Sequence, residues 1–122
     1  MASRARHPIH LKRAYEDPAP SDGQRLLVDG LWPRGVSKED LRAEAWLRAL
    51  APSTALRKWF GHDPARWDGF RERYFAELEA NPEALSQLRG YLARGPVTLL
   101  YGARDEEHNN AVALRDYLLR GR

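Results

Sequence analysis

Apolar and polar positions alternate from Pro8 to Tyr15, where Ile9, Leu11 and Tyr15 are interleaved with His10, Lys12 and Arg13. A period of two predicts a strand with one wet face. The next stretch, Glu16 to Gly23, carries Asp17-Pro18, Ala19-Pro20 and Ser21-Asp22-Gly23, which is loop chemistry. A second strand is predicted over Arg25 to Leu31. Its unbroken core Leu26-Leu27-Val28 fits burial on both faces, and Asp29-Gly30 ends it. The connection is short for a parallel crossover, which leaves the relative direction of these two strands open.

From Ser37 the period changes to that of helices. Ser37 and Asp40 resemble a capping box ahead of the stripe Ala43, Trp46, Leu47 and Leu50. Pro52-Ser53 opens a short helix that Gly61 closes after Phe60. Asp63-Pro64 opens the next, with Trp67, Phe70, Tyr74 and Leu78 on one face, and Asn81-Pro82 opens a fourth with Leu85, Leu88 and Leu92. Gly95-Pro96 stops it. Val97-Thr98-Leu99-Leu100-Tyr101 is the best strand in the chain. After a turn at Gly102 to Asp105, a last helix is predicted from about Glu106 to Leu119, burying Ala111, Leu114 and Leu118.

Strands at both ends with helices between them predict a small α/β domain. It should have a central, largely parallel sheet of about three strands flanked by helices. At 122 residues, without repeats or a dividing linker, residues 1–122 should form one domain, with 1–7 flexible. Cys is absent, which removes disulfides, thiolate metal sites and a cysteine nucleophile. No apolar run reaches the roughly 20 residues of a bilayer span, and nothing apolar follows the basic N-terminus as in a secretory signal. The expectation is a cytoplasmic protein without a membrane partner.

The 20 Lys and Arg against 17 Asp and Glu leave a net charge of +3, a small excess carried mostly by guanidinium groups. The basic residues are mixed with acids along most of the chain, as on solvated helix surfaces. The clearest local excess is Arg4, Arg6, Lys12 and Arg13, followed by Arg57-Lys58.

Three segments, Asp29-Gly30-Leu31-Trp32-Pro33-Arg34-Gly35, Ala51-Pro52-Ser53 through Trp59-Phe60, and Leu99-Leu100-Tyr101 through Asn109-Asn110-Ala111, strongly resemble the bacterial YeaO-like family, a domain of unknown function. The resemblance runs from about His10 to Leu119. It implies a compact α/β domain with a central sheet and brings no reaction with it. Neither a glycine-rich nucleotide fingerprint nor a basic helix-turn-helix pattern is present.

In open α/β sheets ligands bind beyond the carboxyl ends of the strands. The second strand delivers Asp29, Trp32 and Arg34 there. The last strand delivers Tyr101 and Arg104, with Asp105, His108, Asn109 and Asn110 at the start of the final helix. If both strands run the same way, these groups share one edge and suit a small polar anionic ligand, nucleotide-like in one version. Asp29 and His108 are the candidates to move protons. Arg34, Arg57, Tyr101, Arg104, Asn109 and Asn110 are the candidates to bind. Each has an ordinary alternative: a turn for Asp29, a salt bridge for Arg34, core packing for Tyr101, an exposed helix position for His108 and capping for the asparagines. With Asp105 expected as the cap, at least one asparagine is read as a ligand amide. Acidic Asp105, Glu106 and Glu107 count against a highly charged phosphate.

Arg57, Lys58, Trp59, Phe60 and His62 form a second group, whose basic and aromatic residues could stack on a nucleotide or single strand; Asp63 is read as a cap. His7, His10 and His62 lack metal-ligand spacing, and neither a metal nor a cofactor is expected. The competing reading is a non-catalytic regulatory module that uses Arg4, Arg6, Lys12, Arg13, Arg57 and Lys58 on nucleic acid or an acidic protein, with steep salt dependence. It has the weaker support, because those residues are dispersed.

Overall fold

The two apolar runs occupy the middle of the sheet because their side chains need cover on both faces. In the computed structural model, which describes residues 7–120, β4 (Val97–Tyr101) lies between β1 (Ile9–Arg13) and β2 (Gln24–Leu27). A fourth strand, β3 (Ala45–Trp46), extends the sheet beyond β2, giving the order β1-β4-β2-β3. All pairings are parallel, with Leu11 and Leu26 both opposite Leu99. Leu26, Leu27, Val28, Leu99 and Leu100 have no exposed surface. Each contributes about 1.5–3 kcal/mol by burial. The half-wet β1 takes an edge, where His10 stays exposed.

The strand β3 replaces most of the helix expected from Ser37 to Leu50. Ser37 does cap a helix, accepting from Asp40 N at 3.0 Å, but α1 spans only Lys38–Leu41. Arg42 then adopts a left-handed conformation, φ 51°, and the chain leaves the helical path. Glu44 N donates to Arg25 O at 2.6 Å and Leu47 N to Leu27 O at 2.8 Å. The open edge of β2 thus takes up the backbone that an isolated helical stripe would have spent on itself. A 3₁₀ turn, Arg48–Leu50, follows.

The remaining helices, α2 (Thr54–Phe60), α3 (Trp67–Glu79), α4 (Pro82–Arg94) and α5 (Asn110–Leu119), stop close to the sequence signals, and all but α5, which begins a turn late, also start near them. The fourth departs in one detail: Asn81 gives α4 no side-chain cap, and its Nδ2 donates instead to Ala49 O at 2.9 Å. These helices bury the face of the sheet that carries Ile9, Leu26, Val28, Val97, Leu99 and Tyr101. The opposite face holds a smaller cluster, Ala14, Leu27, Leu41 and Leu100, under Trp32 and Trp46.

The β1–β2 connection is pinned by buried charge. Asp22 Oδ2 meets Arg25 Nη1 at 2.6 Å, Lys12 Nζ lies 3.0 Å from Asp22 Oδ1, and Thr98 Oγ1 donates to Asp22 O at 2.7 Å. These bonds hold the loop on the sheet, and β2 runs parallel to β4 as β1 does. The direction left open by the sequence is thereby fixed, and the carboxyl ends of the two strands share one edge.

Candidate functional site

A pocket of about 480 Å³ opens at that shared edge. Asp29 enters it from the end of β2, held at two points. Trp46 Nε1 donates to its carbonyl at 2.7 Å, and Gly102 N donates to its Oδ2 at 2.8 Å. Its other oxygen, Oδ1, is buried without a hydrogen-bond partner. Burial raises its pKa above the ordinary carboxylate value, against the opposing pull of the Gly102 N–H, the Asn110 amide and the Arg57 charge.

Arg57 reaches the pocket because α2 is anchored at its first turn. Ser53 caps α2 by accepting from Leu56 N at 3.1 Å, and Glu77 of α3 holds Ser53 through its N and Oγ at 2.8 and 2.6 Å. Three residues apart on the helix, Thr54 and Arg57 share a face, and Arg57 Nη2 donates to Thr54 Oγ1 at 3.3 Å. Arg57 Nε is buried with no partner. Asp29 and Arg57 line the same pocket yet form no ion pair; the pairs made by the described residues involve other groups.

His108 stands on the third side. Its Nδ1 lies 2.9 Å from Asp105 Oδ2, and its ring meets Trp67 edge-on at 5.3 Å. Asp105 also accepts from Glu107 N at 2.9 Å and His108 N at 3.0 Å. The Glu107 N–H, with the His108 ring and N–H, holds the Asp105 carboxyl below its usual range. With Nδ1 engaged, Nε2 is the nitrogen left for a proton or a ligand.

The asparagines have structural partners. The final helix starts at Asn110 rather than Glu106, and its cap is Asn109, not Asp105. Asn109 Oδ1 accepts from Val112 N and its Nδ2 donates to Asp105 O, both at 2.9 Å. The loop from Arg104 to Asn109 folds around the Asp105 carboxylate, which delays the helix by a turn. Asn110 Nδ2 donates to Val28 O at 2.9 Å and so ties α5 to the end of β2.

Of the sequence candidates, Asp29, Arg57, His108, Asn109 and Asn110 line one pocket. Arg34 and Arg104 are exposed and do not line it. Tyr101 is 3% exposed and lies in the core. Burial raises its hydroxyl pKa, with the charges of Glu106 and Glu16 adding to the effect. The basic–aromatic group divides: Arg57, Lys58, Phe60 and His62 line the pocket, whereas Trp59 sits under Arg73 at 3.8 Å and against Gly69 of α3. Thr54, Leu31 and Phe70 also line it and were not among the candidates. The spacing from Arg57 could have found Thr54. Phe70 belongs to an apolar stripe that reads as core, and Phe60 stacks on it at 4.5 Å.

Among the basic residues of the competing reading, Lys12 is bound to Asp22. Arg13 donates to the carbonyls of Ala103 and Gly102 at 2.8 and 3.3 Å. Arg4 and Arg6 lie outside the described residues, as does most of the segment expected to be flexible. Among the described residues no group of three or more His, Asp or Glu is arranged to hold a metal, and no helix is long and apolar enough to cross a membrane.

The family model described as the inactive DUF488-N3 subclade matches residues 8–121. The uncharacterized protein YeaO of Escherichia coli (strain K12) is 42% identical over 110 residues, covering 90% of this chain and 96% of that protein. Uncharacterized proteins of Mycobacterium bovis and Mycobacterium tuberculosis are each 42% identical over 114 residues, covering 93% of this chain and 95% of theirs. No solved structure matches the chain.

Proposed function

The chain belongs to this YeaO-like family, DUF488-N3i, and on that premise we propose that its pocket binds a small polar anionic molecule. One observation carries the reading: Asp29 and Arg57 line the same pocket, and each has a buried polar atom without a partner, an acceptor at Asp29 Oδ1 and a donor at Arg57 Nε. Buried polar atoms are nearly always satisfied in folded proteins. Two of them beside one cavity of about 480 Å³, within the size range of small-molecule sites, support a ligand that supplies the missing bonds. Arg57 and Lys58 provide the attraction for an anion.

The family description, an inactive subclade, supports binding without turnover. Were there a reaction, Asp29 and His108 would be the groups to move protons. Their partners fit such roles: one oxygen of Asp29 is fixed by Gly102, and one nitrogen of His108 by Asp105.

Thermal-shift screening of the purified chain against nucleotides, nucleosides and anionic metabolites tests the proposal. A ligand at 100 times its dissociation constant adds about 2.7 kcal/mol of stability. That gain should shrink in Arg57→Gln. If no anionic molecule stabilises the protein, the reading fails. Retention on nucleic acid that weakens steeply with salt would favour the regulatory module instead.

A further inference from the structure

We propose, building on the pocket-binding reading above, that the ligand is a zwitterion of the α-amino-acid class, its ammonium group on Asp29, its carboxylate on Arg57 and its apolar side chain against Phe60 and Phe70. The argument is one of complementarity. Asp29 Oδ1 lacks a donor and Arg57 Nε lacks an acceptor, yet the two side chains form no ion pair with each other. The pocket therefore offers two opposite charges that act on each other without direct contact. Gly102 N and the Trp46 indole fix Asp29, and the capped, Glu77-anchored α2 fixes Arg57.

A simple anion would meet Arg57 but leave Asp29 Oδ1 without a donor and set a like charge near it, which costs affinity. A simple amine would answer Asp29 and leave Arg57 unmet. A nucleoside phosphate would bring two or more negative charges to a rim where Arg57 and Lys58 are partly offset by Asp29 and where His108 is already engaged by Asp105. A ligand that carries both charges meets both groups. Phe60 and Phe70 line the same pocket, 6% and 2% exposed, and supply its apolar wall.

Calorimetry and thermal shift on the full chain would compare four probes: L-phenylalanine, 3-phenylpropionate, which lacks the ammonium group, 2-phenylethylamine, which lacks the carboxylate, and adenosine monophosphate. L-phenylalanine should bind at least about tenfold tighter than either single-charge probe. In Asp29→Asn the preference over 3-phenylpropionate should vanish, and in Arg57→Gln both carboxylates should weaken together. Equal or tighter binding of 3-phenylpropionate or the nucleotide overturns the zwitterion and leaves the anion-binding reading intact. Binding of the amine alone overturns both; binding of none of the four overturns the zwitterion, and the anion-binding reading then falls if the wider screen also finds no anionic ligand. Should Asp29→Asn not fold, the wild-type ranking decides.

Discussion

Asp29 Oδ2 accepts the backbone N–H of Gly102 at 2.8 Å while Asp29 Oδ1 has no partner. The bond joins the carboxyl ends of the two central strands, so one carboxylate closes the sheet edge at the wall of the pocket while its second oxygen stays buried and unmet. Stability and ligand recognition make opposite demands on it.

Asp29→Asn separates these demands. Asn keeps an oxygen for Gly102 N and removes the buried charge. Burial raises the folded pKa of Asp29 above 3.8, so the folded state holds its proton to higher pH than the unfolded chain. Stability that depends on that proton is complete below the unfolded value and falls as pH rises through the folded one. The charged and titratable groups that share its pocket or act on it are Arg57 and Lys58 of α2, His62 after it, Tyr74 of α3 and His108 just before α5, with the Asn110 amide beside them. Denaturant melts should show wild type losing stability relative to Asp29→Asn as pH rises from about 4 towards neutrality. The variant should match or exceed wild type at neutral pH, within about 1–3 kcal/mol. A wild type that gains on the variant over that range would mean that the charged form is the favoured one.

Gly102→Ala tests the same joint from its other side. A Cβ there would sit 3.2 Å from Asp29 Oδ2, tighter than ordinary contact, and the carboxylate would have to shift. A loss of about 1 kcal/mol and weaker ligand binding are expected in a thermal melt and a titration. An unchanged melt with unchanged binding would show that Asp29 moves freely.

Asp22 works in the opposite sense. Burial opposes its charge, but the Ala19 N–H, Lys12 and Arg25 outweigh that and hold its pKa below 3.8. Its contribution is present above the unfolded value and is lost as pH falls through the folded one. Asp22→Ala leaves Arg25, itself 5% exposed, without its counter-charge. A cost of about 3–5 kcal/mol is expected. Arg25→Met should cost less, because it removes a charge whose Nη2 already lacks a partner. Chemical denaturation of both variants gives the order.

Much of the sheet, and the grouping of Asp29, His108, Asn109 and Asn110 around one pocket, were legible because turn residues after apolar strands mark the carboxyl edge. Asp29 and His108 meet in one pocket for that reason. Tyr101 was misplaced, although its parity with Leu99 on β4 already put it on the core face. Arg34 and Arg104 could not be placed from sequence, since the aim of an exposed loop is set by what it packs on. The helical stripe through Trp46 lost to β2's open edge, a tertiary demand that no local pattern announces. Asn109 takes the cap expected of Asp105, whose carboxylate accepts instead from the N–H groups of Glu107 and His108 in the preceding loop.

Leu31 is 63% exposed and lines the pocket. A large apolar side chain left in water at the rim contributes little to folding, so Leu31→Ser should alter stability by no more than about 0.5 kcal/mol. A bound ligand would cover it. Covering most of a leucine is worth roughly 1.5 kcal/mol, or about tenfold in affinity. The variant should therefore melt like wild type and bind any ligand found in the pocket about tenfold more weakly. Equal affinity would mean that the ligand sits deeper, against Phe60 and Phe70, and never reaches the rim. A lowered melting temperature would mean instead that Leu31 packs in solution, and the rim would then belong to the folded core rather than to the site.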